Sequence, residues 1–344
     1  MTWQPFLALP NYLGGKRRLC PVIFREIANL YPAHTWPALT LLDPCAGACS
    51  VSLYAKAQGM RVIAGDNAQR SYIVQQAVIH NSIETLTDQD LGGLFQERNS
   101  YPHFVAENFV PDHFPADFAA FLDLALAHIA DYPEVKQALL RLCLFKLMQA
   151  SHITFRDTTI STATDQERLE ELPGSKAKMA ERGYLTPPPV SLRRVARQVN
   201  HAVFGNGQES MANLKDAATL TERWAPEVDI LYLDPPYPGV EVYNEAYRVL
   251  DSVFAGQMVP YQRSPWSTAL FALQLLDLLG KAQAIPLWII SYGSVGTTLA
   301  EVLALVEAYR PVQVIAIEYP HFQAIARPEV AEANREYIIL ARRK

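Results

Sequence analysis

Seven short apolar runs, most of them separated by stretches with helical spacing, constrain this chain more than any other feature of its sequence. They are Thr40-Leu41-Leu42-Asp43, Arg61-Val62-Ile63-Ala64, Ala202-Val203-Phe204, Asp229-Ile230-Leu231-Tyr232-Leu233, Leu287-Trp288-Ile289-Ile290, Val312 to Ile317 and Glu336 to Leu340. Near-continuous apolar runs of this length suit strands buried on both faces, as in a parallel sheet. Leu270 to Leu279 and Leu299 to Tyr309 carry apolar residues at helical spacing. Strand and helix in alternation predict an open, doubly wound α/β sheet.

The interval from 78 to 200 breaks that rhythm and reads as an insertion. The expected division is a catalytic domain over 1–77 and 201–344, with an inserted helical, target-recognising region over 78–200. Phe118 to Ala130 and Val135 to Ala150 have helical periodicity, whereas Ser151 to Pro189 is polar and rich in Thr, Ser and Pro. The run Thr186-Pro187-Pro188-Pro189 is expected to close that segment outside any helix.

Half of the 344 residues are hydrophobic, which excludes a mainly disordered chain. No apolar run reaches membrane-spanning length, and Met1 to Pro5 lacks the basic start of a signal peptide, so a cytoplasmic protein is expected. Cys20, Cys45, Cys49 and Cys143 form no C-x-x-C pair, and buried thiols account for them better than a metal site. The net charge of −5 is unevenly spread. Residues 81 to 135 hold ten acids and one base, which leaves the remainder mildly basic. From Gly174 to His201 there are six bases, Lys176, Lys178, Arg182, Arg193, Arg194 and Arg197, against Glu181 alone. Such a stripe suits a phosphate backbone and equally a solvated helix face.

Asp234-Pro235-Pro236-Tyr237 directly follows the strand Ile230 to Leu233, at the strand edge where ligands bind in open α/β sheets. These residue types suit the activation of an exocyclic amino group such as that of adenine, whose lone pair is delocalised into the ring. A carboxylate and a backbone carbonyl can accept the two N–H bonds and free the lone pair for in-line attack on a sulfonium methyl group. Asp234 and the Pro235 carbonyl fit that task, and Tyr237 offers a flat face to a base swung out of the stack. A second strand end, Asp43-Pro44-Cys45-Ala46-Gly47-Ala48-Cys49-Ser50, has the small residues that let a backbone approach a ligand. Asp66, after the next strand, can accept from ribose hydroxyls or cap a helix starting at Asn67. Near the N-terminus, Asn11-Tyr12-Leu13-Gly14-Gly15-Lys16-Arg17-Arg18 suits a loop closing on a charged ligand, or a flexible basic leader.

The order of these motifs resembles the Dam-like (D12 class) family of DNA adenine-N6 methyltransferases over nearly the whole chain. Tyr12 to Lys16 is similar to that family's aromatic-x-G-G-K loop, and Asp43 to Cys49 to its D-P-F-x-G-x-G loop. Asp66 falls at its acid after the second strand. Tyr247 and Phe254 follow D-P-P-Y at the usual distance, and Ser291-Tyr292 and Asn334 to Leu340 look like its closing strands. Cys45 stands where Phe is usual and Cys49 where the second glycine is usual, a position at which positive φ would disfavour a side chain.

The resemblance implies a class I S-adenosylmethionine-dependent methyltransferase fold with a mostly parallel seven-stranded sheet. It implies S-adenosylmethionine held by Tyr12, Lys16, Asp43, Cys45, Gly47, Asp66 and, near Glu209, Ser210. It implies a target adenine held by Asp234, Pro235, Pro236 and Tyr237. The expected partner is double-stranded DNA, with phosphate contacts from Lys176, Lys178, Arg193, Arg194 and Arg197, and a cognate restriction or defence system. N4-cytosine methylation, RNA adenine methylation and a non-catalytic DNA-binding module are the other readings.

Overall fold

The computed structural model describes residues 3–151, 188–236, 238, 246–260, 263–293, 297–318 and 335–343. Lys176, Lys178, Thr186, Pro187 and Tyr237 lie outside them. The chain forms two compact units. One comprises Gly14–Gln75, Asn206–Val242 and Arg263–Lys344; the other comprises Met1–Leu13, Gln76–Gly205 and Tyr243–Gln262.

The first unit carries a seven-stranded sheet: β1 (Thr40–Asp43), β2 (Arg61–Asp66), β3 (Met211–Leu214), β4 (Ile230–Leu233), β5 (Leu287–Gly293), β6 (Val312–Glu318) and β7 (Arg335–Arg342). Their order is β3-β2-β1-β4-β5-β7-β6. The first five run parallel, and β7 is antiparallel to both β5 and β6. Every residue of β1, β4 and β5 is buried, as their unbroken apolar character predicts. On one face Leu42, Ile63, Leu231 and Leu233 pack with Leu275 and Leu279 of the helix Phe271–Lys281. Gly65 of β2 permits a close approach, since a Cβ there would collide with Leu220 of the helix Ala217–Trp224.

From β1 the chain steps outward through β2 to β3, then returns to place β4 on the other side of β1. The direction of winding therefore reverses between β1 and β4. The carboxyl ends of the strands on either side of such a reversal open into a crevice, which is where open α/β sheets bind ligands. Asp43 ends β1 and Asp234 follows β4, so both sit at that edge.

Two sequence expectations are corrected here. Ala202-Val203-Phe204 is not a strand. The N–H groups of Ala202 and Val203 donate to Val199 and Asn200 carbonyls (3.0 and 3.1 Å) and finish the preceding helix. The strand beside β2 is Met211–Leu214, an edge strand with no fully buried residue. Pro188 and Pro189 do not close a non-helical segment; they open the helix Pro188–Asn200. Proline is tolerated in a first turn, where its missing N–H has no intrahelical partner to lose.

The second unit is helical. Helices Ala116–Ile129 and Glu134–Ser151 occur where the periodicity placed them. Some of its many acids do local structural work. Asp90 and Thr87 form a capping box at the helix Asp88–Gly93, with Lys136 2.8 Å from the Asp90 carboxylate. The buried Asp123 accepts from the N–H groups of Val105 and Ala106 at the start of the helix Phe104–Phe109 (2.8 and 3.0 Å). Among the described residues no helix is long and apolar enough to cross a membrane.

Candidate active site

Asp43 is 1 % exposed. Ser52, in the helix Ser50–Ala57, donates its hydroxyl to one carboxylate oxygen at 2.6 Å. The other oxygen is buried with no hydrogen-bond partner among the described residues. Burial pushes the Asp43 carboxyl up to about 7, Ser52 pulls it back, and the charges of Asp234 and Asp66 add to the rise.

The turn after Asp43 is built on left-handed backbone: Gly47 has φ 50° and Cys49 φ 60°. It is tied down from β2. Ala46 N–H donates to the Gly65 carbonyl (2.9 Å), and Gly47 N–H to Asp66 Oδ2 (3.0 Å). Asp66 Oδ1 accepts from Ala68 N–H at 2.9 Å. The helix that follows is Gln69–Val74 and its N-cap is Ala68, so Asp66 is a turn residue two positions earlier, not the cap. Burial raises the Asp66 carboxyl, opposed by the N–H groups of Ala68 and Gly47 and by the Arg70 charge. Cys45 is half-buried in the same turn. Its thiol is pushed well up by burial and by the charges of Asp66, Asp43 and Asp234.

Lys16 is buried, not part of a flexible leader. Its Nζ donates to the Gly14 carbonyl at 2.9 Å, lies 2.9 Å from Asp234 Oδ2 and 3.4 Å from Glu336 Oε1. Asp234 is partly exposed, Pro235 is buried and Pro236 is half-buried. Below them Tyr232 donates its hydroxyl to Ser291 Oγ at 2.9 Å. Lys16, Asp43, Cys45, Gly47, Asp66, Asp234 and Pro235 thus belong to one sheet edge of one unit.

Ser210 does not join them. It immediately precedes β3, at the amino edge of the sheet, and its buried hydroxyl accepts from Val62 N–H (3.1 Å). Tyr12 belongs to the helical unit. Its ring stacks on Tyr247 at 4.9 Å, and Leu13 N–H donates to the Tyr247 hydroxyl at 2.9 Å. Arg193, Arg194 and Arg197 are exposed on the helix Pro188–Asn200, whose Leu192, Val195, Ala196 and Val199 are buried. Arg193 Nε lies 3.9 Å from the exposed Asp88.

Two residues of this edge have no sequence signal strong enough to single out. Leu214, which ends β3 in register with Asp66, is 40 % exposed. Glu336 is fully buried on β7 beside Lys16. A carboxylate preceding the apolar run of a closing strand was the available hint of Glu336.

A reversed, mostly parallel sheet with an antiparallel β7 between β5 and β6, and acids at the ends of β1, β2 and β4, is consistent with the class I methyltransferase fold. Residues 12–152 match the family model described as D12 class N6 adenine-specific DNA methyltransferase. The Type II methyltransferase M2.HphI of Haemophilus parahaemolyticus is 26 % identical over 337 residues, which cover 96 % of each chain. The chain is thus similar to the D12 class of N6 adenine-specific DNA methyltransferases over residues 12–152, and to a Type II methyltransferase over nearly its whole length.

Proposed function

We propose that this protein transfers a methyl group from S-adenosylmethionine to N6 of an adenine swung out of duplex DNA, in the cytoplasm, as the modifying half of a restriction–modification pair. The last element rests on the name of the Haemophilus relative. The methyl donor fits the residues present. Its ammonium group and sulfonium charge suit the edge that carries Asp43 and Asp66, and Asp43 offers a buried acceptor oxygen that nothing else described engages. When bound, it supplies an electrophilic methyl group.

The remaining chemistry falls to the chain. Asp66 and Gly47 form the rigid wall for a ribose, since the Asp66 carboxylate holds two backbone N–H groups and the Ser71 side chain and has about four acceptor sites in all. Leu214 gives a purine ring an apolar face. Cys45 lines the donor site and Lys16 is held at its rim, while Tyr12 is assigned to the donor by the motif resemblance alone. Asp234 and the Pro235 carbonyl accept the two amino N–H bonds of the target, and Pro236 stiffens the turn. Tyr237 stacks on the base. The region 78–200 reads the DNA, with Arg193, Arg194, Arg197, Lys176 and Lys178 on its phosphates.

The observation that carries this reading is Asp234 at the end of β4, next to the strand that ends in Asp43. The test is transfer of labelled methyl groups to duplex DNA, with mass analysis of the modified nucleoside. N6-methyladenine is expected from the parent. Asp234→Ala is expected to lower turnover by about a hundredfold to a thousandfold, the usual cost of one preorganised electrostatic contact. Donor affinity and thermal melting should stay near parental values. Parental turnover in Asp234→Ala would overturn the reading.

A further inference from the structure

We propose that Glu336 is a positioning residue for methyl transfer, acting on Asp234 through the buried Lys16 that the two carboxylates share. The inference rests on the reading of Asp234 as the acceptor of the target amino group.

Glu336 reaches this edge because β7 runs antiparallel. Its amino end lies beside the carboxyl end of β5, where Glu336 pairs with Gly293, and beside Ile317 of β6. The side chain is fully buried, and Lys16 Nζ stands 3.4 Å away. An ammonium group has three donors. Here the Gly14 carbonyl and Asp234 lie at hydrogen-bond distance (2.9 Å each), and Glu336 Oε1 at 3.4 Å adds an ion-pair contact outside hydrogen-bond geometry. Lys16 is therefore fixed in place, and so is the Asp234 oxygen bound to it.

The charge count matters as much as the geometry. Lys16 and Asp234 alone would be a neutral pair, and a carboxylate bound to a whole ammonium charge is a poor acceptor for a neutral amino group. Glu336 draws on the same ammonium, so Lys16 neutralises Asp234 less completely than it would alone. Positive charge develops on the adenine nitrogen as the methyl group arrives, so a less fully neutralised Asp234 favours the transition state over the ground state. A stabilising role alone explains the trio poorly, because desolvation offsets most of the attraction in a buried ion pair.

Glu336→Gln keeps the shape and removes the charge. It is expected to lower kcat by about tenfold or more, while KM for DNA and the dissociation constant for S-adenosylmethionine stay within about threefold. Glu336→Asp, which keeps the charge, should lie closer to the parent. Lys16→Met removes the cation that the two carboxylates share. Adding Glu336→Gln to it should raise activity, the reverse of its effect in the parent. If Lys16→Met does not fold, recovery of folding in the double variant reports the same coupling; if neither folds, Glu336→Gln decides alone. Parental kcat in Glu336→Gln, or a fall matched by lost donor affinity, would overturn the proposal, as would a double variant less active than foldable Lys16→Met. Asp234→Ala separates the two ideas. If it is inactive and Glu336→Gln is parental, this inference fails and the assignment of Asp234 stands.

Discussion

Cys49 is the single non-glycine residue with positive φ among the described residues, and it is fully buried. The left-handed conformation costs an L-residue roughly 1–2 kcal/mol. Burial of its short side chain returns about 1 kcal/mol. Cys49→Ala loses part of that burial and keeps the strain, whereas Cys49→Gly loses slightly more burial and releases the strain. The glycine variant is therefore expected to be the more stable of the two, by about 0.5–1 kcal/mol in urea denaturation. The opposite order would show that the turn carries no strain at this position. The family motif made Cys49 conspicuous in the sequence. Asp43 was visible too, but its orphaned oxygen was not, because that depends on which groups four strands and two turns bring around it.

Asp43 also sets a pH dependence. Its carboxyl is raised from the ordinary value of 3.8 to about 7, chiefly by burial, so the folded protein binds this proton more tightly than the unfolded chain. The stability it contributes is fully present below the unfolded value and is lost as pH rises toward about 7. Asp43→Asn should flatten the fall in melting temperature over that window, and an unchanged slope would remove Asp43 as its cause. A cationic methyl donor favours the ionised form. Donor binding below pH 7 should therefore release protons, seen as heats that vary with the ionisation enthalpy of the buffer.

At the scale of elements, the helix Pro188–Asn200 presents Arg193, Arg194 and Arg197 to solvent on one side and an apolar face on the other. If that side follows a DNA backbone, removing the three charges should flatten log affinity against log salt by up to about 0.9 per lost phosphate contact. A slope equal to the parent's would leave the arginines as a solvated face. The helix itself was legible only in part, since the prolines read as breakers until the first-turn exception is considered. Strands β1, β4 and β5 were legible because burial on both faces demands unbroken apolar sequence, whereas β6 has an apolar run although none of its described residues is fully buried. β3 was not: Met211 and Ala212 are half-buried and Leu214 is exposed. What makes it a strand is pairing with Ile63 to Asp66, a non-local fact.

At the scale of the whole molecule, six of the seven apolar runs became strands, the seventh strand, β3, came from a run not singled out, and none of the runs predicted the strand order. The segments of each unit are likewise joined by contacts distant in sequence. Asn11 exchanges two hydrogen bonds with Gln149 (2.9 and 2.7 Å), and Lys146 donates to the carbonyls of Leu7 and Leu9. Motif order succeeded where hydropathy failed, because Asp43, Asp66 and Asp234 mark strand ends whichever way the strands are arranged.

The place of β7 has a consequence for synthesis. It lies between β5 and β6, yet it follows both in the chain. While a ribosome is still translating at about 5–20 residues per second, β5 and β6 have been made and have no strand to join them. Until β7 emerges the sheet keeps open edges of the kind that recruit other chains. β7 also brings Glu336, so the ion trio is completed by some of the last residues of the sheet to be translated. A nascent chain that stalls before Arg335 has every residue of the Asp43 turn and the D-P-P-Y motif, but not the strand that joins the sheet. The sheet is completed only after β7 has been made, so a copy stalled before it should have no competence to mark DNA.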